Sequence, residues 1–156
     1  MNIRNLKQFL FDLNIAGYAS GEEKKWIKEK DHSTTIPFTK GKFRSNDNFF
    51  GGEPYGGRAI VFYEEKPVWI MVYFGAVNKG EKPDPVYVIL REALRRMPRD
   101  YPFRGPKEYR SGDFRYTNIW KGDLEKYEGE EKIYKGQKEI YSAKYIGGMV
   151  DKRGGV

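Results

Sequence analysis

The sequence predicts an α+β domain in which an αβββ unit occurs twice, giving an antiparallel sheet of about six strands with two helices packed on one face. Three observations carry this expectation. Two segments place apolar residues at helical spacing. Several runs rich in β-branched and aromatic residues are separated by glycine corners. The strand-rich blocks of the two halves also resemble each other residue by residue.

The first helix runs from Ile3 to Asn14, because Ile3, Leu6, Phe9 or Leu10, and Leu13 recur every three or four residues and Asn2 is placed to cap the start. Residues 16–42 are polar and contain Gly17, Gly21, Pro37 and Gly41, so they read as a long loop anchored by Trp26 and Ile27. A strand block follows. Lys42 to Phe50 is extended, GGEPYGG (51–57) turns, RAIVFY (58–63) is a strand, EEK turns, and PVWIMVYFG (67–75) returns. NKGEKPDP (78–85) breaks the pattern. The second helix spans Pro85 to Met97, with Pro85 in its first turn and a stripe of Val86, Ile89 or Leu90, Ala93, Leu94 and Met97; Pro98 and Pro102 end it. Strands follow at 109–117, 131–135 and 138–146, and the tail DKRGGV is expected to fray.

The internal repeat is read from paired motifs. FRSND (43–47) matches YRSGD (109–113); Phe50, Gly52 and Glu53 match Trp120, Gly122 and Asp123; Gly57, Val61, Phe62 and Lys66 match Gly129, Ile133, Tyr134 and Lys138. Val68, Trp69, Tyr73 and Gly75 match Ile140, Tyr141, Tyr145 and Gly147, and the offset drifts from 66 to 72 through turn insertions. Residues 1–156 are thus expected to form one domain with a pseudo-repeat at about 3–77 and 85–150. Alternation puts Trp69, Met71 and Tyr73 toward the helices. It leaves Val68, Ile70, Val72 and Phe74 on the outer face, where the 16–42 segment or a second copy of the chain would cover them.

Composition excludes several functions. The 156 residues contain no cysteine and one histidine, His32, so thiol chemistry and disulfides are absent and a serine triad would hang on one residue in DHSTT with no elbow motif. The longest apolar run, Val68 to Val77, is too short to cross a membrane as a helix, and MNIRNLKQFL lacks a signal-peptide core, so a cytoplasmic location is expected. No cofactor or metal is expected. The net charge is +7, but Lys and Glu intersperse everywhere except between Arg91 and Arg110, which holds six of the eleven arginines.

Four stretches together resemble a known family. GYASGEE (17–23), FFGGEPYGG (49–57), KPVWIMVYFG (66–75) and EALRRMPRDYPFRGPKEYRSGDFRYT (92–117) are similar to a family of uncharacterised prokaryotic domains found alone or behind a Cro/C1-type (XRE) helix-turn-helix, and the resemblance extends from Phe9 to Gly148. The residues before Phe9 are too few for a helix-turn-helix, so this sequence is expected to represent the domain without it. The resemblance implies no activity; the fused relatives suggest a sensor or effector role by analogy.

Three constellations offer chemistry. In the first, Arg44, Arg110 and Arg115 bind the anionic groups of a small ligand in a cleft between the repeats, Asp47 and Asp113 orient them, and Trp69, Trp120 and Tyr55 wall the cleft. The bland alternative is a structural Arg–Asp pair in each meander. In the second, Arg91, Arg95, Arg96, Arg99 and Arg104, interleaved with Tyr101, Phe103 and Tyr109, hold nucleic acid; the alternative is a solvated helix face followed by a proline-fixed loop. In the third, Glu53 and Asp123 perform acid–base catalysis, against the simpler reading of solvated turn residues. GGEPYGG has no following helix and no GKS/T, so it is a wide turn or lid and not a P-loop. The favoured expectation is an anionic-ligand sensor, with a homodimer through the Val68/Ile70/Val72/Phe74 face as a further expected partner.

Overall fold

A computed structural model describes residues 1–154. The chain is dominated by one antiparallel sheet of nine strands: β1 (Ile27–Lys28), β2 (Thr34–Lys40), β3 (Phe43–Phe50), β4 (Tyr55–Tyr63), β5 (Lys66–Val77), β6 (Glu108–Ser111), β7 (Phe114–Gly122), β8 (Lys126–Lys135) and β9 (Lys138–Met149). Their order is β1-β2-β3-β4-β5-β9-β8-β7-β6. Among the described residues, α-helix is confined to the 14 residues of α1 (Ile3–Ala16) and the 12 of α2 (Pro83–Leu94), and short 3-10 turns lie at Tyr18–Ser20, Glu23–Lys25 and Lys152–Gly154. This overturns the expected architecture of about six strands with two helices packed on one face.

The extra strands have local causes. Residues 34–40 carry Thr34, Thr35, Ile36 and Thr39, and their one proline sits beyond the reach of β1, which pairs only with Thr34 and Thr35. Pro37 therefore lies on what is effectively an edge, where its missing N–H costs no ladder bond. The stretch 109–117 is two strands because Gly112 adopts φ 56° and closes a hairpin in which Ser111 faces Phe114. The tail begins as a 3-10 turn at Lys152–Gly154, and its last two residues lie outside the described residues.

Asn2 caps α1 by accepting from the Arg4 N–H at 2.8 Å. Leu6, Phe9, Leu10 and Leu13 are buried in a cluster with Phe43, Val61, Val68, Trp69 and Met71. Val86, Ile89, Leu90, Ala93 and Leu94 of α2 are buried with Tyr116, Ile133, Ile140 and Tyr141. α2 stops at Leu94 because Arg96 and Met97 bond back to Ala93 and Leu94, tightening the last turn ahead of Pro98.

The hairpins β4–β5 and β8–β9 share a feature that the alternation pattern hides. Each register shifts at one place, Val61/Phe62 in the first and Ile133/Tyr134 in the second. The shift leaves Val68 and Ile140 unpaired, and both turn inward, to 0% and 1% exposure. Val68 is therefore core, and only Val72 and Phe74 of the expected outer strip are exposed, beside Ile119 and Ile146. The 16–42 segment does not cover that strip: β2 extends the sheet edge instead, and Tyr18 and Trp26 stack near Phe49. β5 and β9 meet at the centre, where Tyr73 faces Tyr145.

Candidate functional site

A cavity of about 370 Å³ opens between α2, the turns at Tyr18–Trp26 and the adjoining ends of β3, β4 and β5. Its walls are aromatic. Tyr18 stacks on Trp26 at 6.0 Å, Trp26 meets Phe49 edge-on at 5.9 Å, and Tyr55 lies 6.0 Å from Tyr73 and 6.1 Å from Tyr87. Gly75 makes room for Tyr55: a Cβ there would lie 2.6 Å from its hydroxyl oxygen.

The floor is polar. Asp47 lines it and accepts from the Tyr73 hydroxyl, its one side-chain partner among the described residues. Burial pushes the Asp47 carboxyl up to about 6, against the opposing pull of the Tyr73 hydrogen bond and the Arg104 charge. Arg104 also faces the cavity, but its Nε donates to both Glu131 oxygens at 3.2 Å and its Nη2 bonds the same carboxylate. Glu131 is fully buried and also accepts from the hydroxyls of Tyr116 at 2.6 Å and Tyr141 at 3.1 Å. The Tyr141 and Tyr55 hydroxyls bond each other, which links this buried network to the cavity wall. Burial pushes Tyr55 and Tyr73 upward, so both keep their protons at neutral pH.

At the rim, Arg91 lies over the Tyr18 ring at 5.0 Å and reaches Glu23 at 3.3 Å, while its buried Nε has no partner among the described residues. Glu53 pins the 51–54 turn. It accepts from the Val77 N–H at 2.8 Å and from the Tyr87 hydroxyl, which also contacts the Gly52 carbonyl at 3.1 Å.

Of the sequence-derived site residues, Asp47 and Tyr55 meet in this cavity and Glu53 braces its edge. The three arginines expected to share an anion do not converge. Arg44 pairs with Glu65 and lies over Phe62. Arg110 pairs with Glu108, and Arg115 lies over Tyr134. β3 and β7 are five strand spacings apart in the order of the sheet, roughly 24 Å measured along it, and each arginine is engaged by neighbours of its own. The FRSND and YRSGD motifs also occupy different registers, since Arg44 lies within β3 whereas Arg110 lies in β6. By register the counterpart of Arg44 is Arg115, because these two face Phe62 and Tyr134.

Asp113 is exposed in the β6–β7 turn, where its carbonyl accepts from Gly136. Trp69 is core, stacked on Tyr127 at 5.6 Å, and Trp120 packs against Tyr101 and Phe103. Glu53 and Asp123 do not form a pair. Glu53 precedes Tyr55, which faces Gly75, whereas Asp123 precedes Lys126, which faces Gly148 and through it Ile70, near the other end of β5. Asp123 caps its own turn by accepting from Glu125 N–H at 2.8 Å.

The arginines of the nucleic-acid reading are each engaged within the fold. Arg95 Nε donates to the Ala19 carbonyl at 2.7 Å, Arg96 lies over Tyr109, Arg99 lies over Phe11, and Arg91 and Arg104 are placed as above. The buried Arg104–Glu131 pair has one signal in the sequence. Glu131 shares its strand face with Tyr127, Gly129 and Ile133, so a charge stands at a core-facing position.

No helix among the described residues is long and apolar enough to cross a membrane. No curated protein and no solved structure matches the chain. The model of one family, described as "Domain of unknown function (DUF5680)", matches residues 47–150, a span that runs from Asp47 on the cavity floor past the end of β9. On the strength of that match over most of its length, the chain belongs to the DUF5680 family.

Proposed function

We propose that this protein is a small-molecule-binding domain whose site is the cavity beneath α2. The observation that supports this most is the cavity's composition: aromatic walls around a partly open carboxylate, in a volume suited to a small metabolite. The buried network behind Tyr55 ties that wall to Glu131 and Arg104. A cleft between repeats is not needed for this reading, and Arg44, Arg110 and Arg115 take no part in it. The resemblance to domains that follow a helix-turn-helix supports a sensory role in the cytoplasm, with ligand occupancy as the signal.

The test is a ligand-observed NMR screen of a metabolite library against the intact chain. Val88 lines the cavity and is 52% exposed on α2, so Val88→Trp fills the mouth without disturbing the core. Hits should raise the melting temperature of the parent protein and lose affinity for V88W. A screen without hits, or hits that bind V88W equally, refutes the reading.

A further inference from the structure

We infer that the ligand of this cavity is an organic cation, an amine or quaternary ammonium, whose charged head sits against Asp47 among the aromatic rings; the inference rests on the cavity being the binding site. Three independent features support it.

The first is charge. The lining holds Glu23, Asp47 and Asp84 against Arg91 and Arg104, and Arg104 is already neutralised by Glu131 beneath it. Arg91 is engaged by Glu23. The cavity is thus electronegative within a chain of net charge +7. That is the wrong sign for an anion and the right one for a cation.

The second is an internal comparison. Asp47 stands opposite Ala59, which faces Met71; Asn118 stands opposite Glu131, which faces Ala143. Each accepts from the tyrosine two residues further along the third strand, Tyr73 in one case and Tyr145 at 2.8 Å in the other. Asn118 is 1% exposed and its amide performs the structural task. A carboxylate at 47 is not required for that hydrogen bond, since an amide makes it at 118, and it carries a desolvation cost that an amide avoids. Its negative charge is what remains for a ligand to use.

The third is the wall chemistry. Tyrosine and tryptophan faces attract cations through their ring quadrupoles, and an aromatic enclosure with one carboxylate is the arrangement that recognises ammonium groups. Proton linkage follows from the position of Asp47. The groups facing its surroundings are Tyr73 on β5, Tyr55 on β4, Arg104 on the loop after α2, Asp84, Tyr87 and Arg91 on α2, and Glu23 on the 3-10 turn Glu23–Lys25. With Asp47 protonating near 6, a cation should bind less tightly as the pH falls below that value.

The experiment is an NMR titration of the intact protein, following the Trp26 indole, with choline and with 3,3-dimethylbutan-1-ol, which has a similar shape and no charge. Choline should bind about tenfold or more tighter than the alcohol at pH 7.5. Asp47→Asn, a side chain that position 118 already tolerates, should remove most of the difference and leave the part that the aromatic rings supply. Lowering the pH to 5 should weaken choline binding by about tenfold, as Asp47 takes up its proton. Equal binding of the two compounds, or choline binding indifferent to D47N, overturns the cation inference and leaves the cavity as the site. No response of Trp26 to either compound also overturns it; the V88W screen then decides separately whether the cavity binds anything.

Discussion

Asp47→Asn should make this protein more stable at neutral pH and leave it nearly unchanged in acid. The carboxyl ordinarily titrates at 3.8, and burial in the cavity floor pushes it up to about 6. Below the lower value Asp47 is protonated in both folded and unfolded chains, and its burial carries no charge penalty. Between the two values the folded chain holds more protons than the unfolded one, so stability falls as the pH rises. Above about 6 the full penalty persists. Its ceiling is ~3 kcal/mol, and the partial exposure of Asp47 lowers this to about 2 kcal/mol. Asparagine avoids the penalty and still accepts from Tyr73, as Asn118 does from Tyr145. Urea denaturation of parent and variant at pH 3.5, 5, 6 and 8 measures the difference directly, and comparing the two proteins at each pH cancels the titration of all other groups. The variant should gain about 2 kcal/mol at pH 8, or about 4–8 °C in melting temperature for a chain of this length. The gain should shrink toward zero by pH 3.5. A gain that does not depend on pH, or a loss at pH 8, would refute the reasoning.

Arg104→Met leaves Glu131 charged, buried and short of its main donor, so it should cost about 3–5 kcal/mol; adding Glu131→Gln should recover part of that loss in a double-mutant cycle. Gly129→Ala would place a Cβ 2.2 Å from the ring of Tyr145, a residue only 3% exposed, and should destabilise by about 1–3 kcal/mol in thermal denaturation. Arg95→Ala removes the donor that ties the Ala19 carbonyl to the end of α2, and should speed amide exchange in residues 17–23 while leaving the sheet protected. Asn2→Ala removes the cap of α1 and should cost about 1 kcal/mol, read from the denaturation midpoint.

Local pattern carried far in this chain, up to the points where it met long-range geometry. The stripe Leu6, Phe9, Leu10, Leu13 and the stripe Val86, Ile89, Leu90, Ala93, Leu94 are legible because a helix repeats within four residues. The hairpin of RAIVFY and PVWIMVYFG is equally local. Strand alternation failed at Val68, where one unpaired residue reverses the side that the chain presents, and a bulge leaves no mark in a two-residue period. β2 was hidden by Pro37, whose cost depends on whether a neighbour strand reaches it. The FRSND and YRSGD motifs look alike, yet similarity of motifs says nothing about the strand spacings that separate their arginines.

What the sequence determined by itself is therefore what depends on neighbours a few residues away: two amphipathic helices, a hairpin-rich remainder, the absence of thiol chemistry and the family. The tertiary structure alone decided which polar groups meet. Asp47 finds Tyr73, Arg104 finds Glu131, and Tyr55 finds Tyr141 across 26, 27 and 86 residues. Such pairings depend on sheet register, and register comes from the summed burial of both sheet faces, a property of the whole chain that no short segment contains.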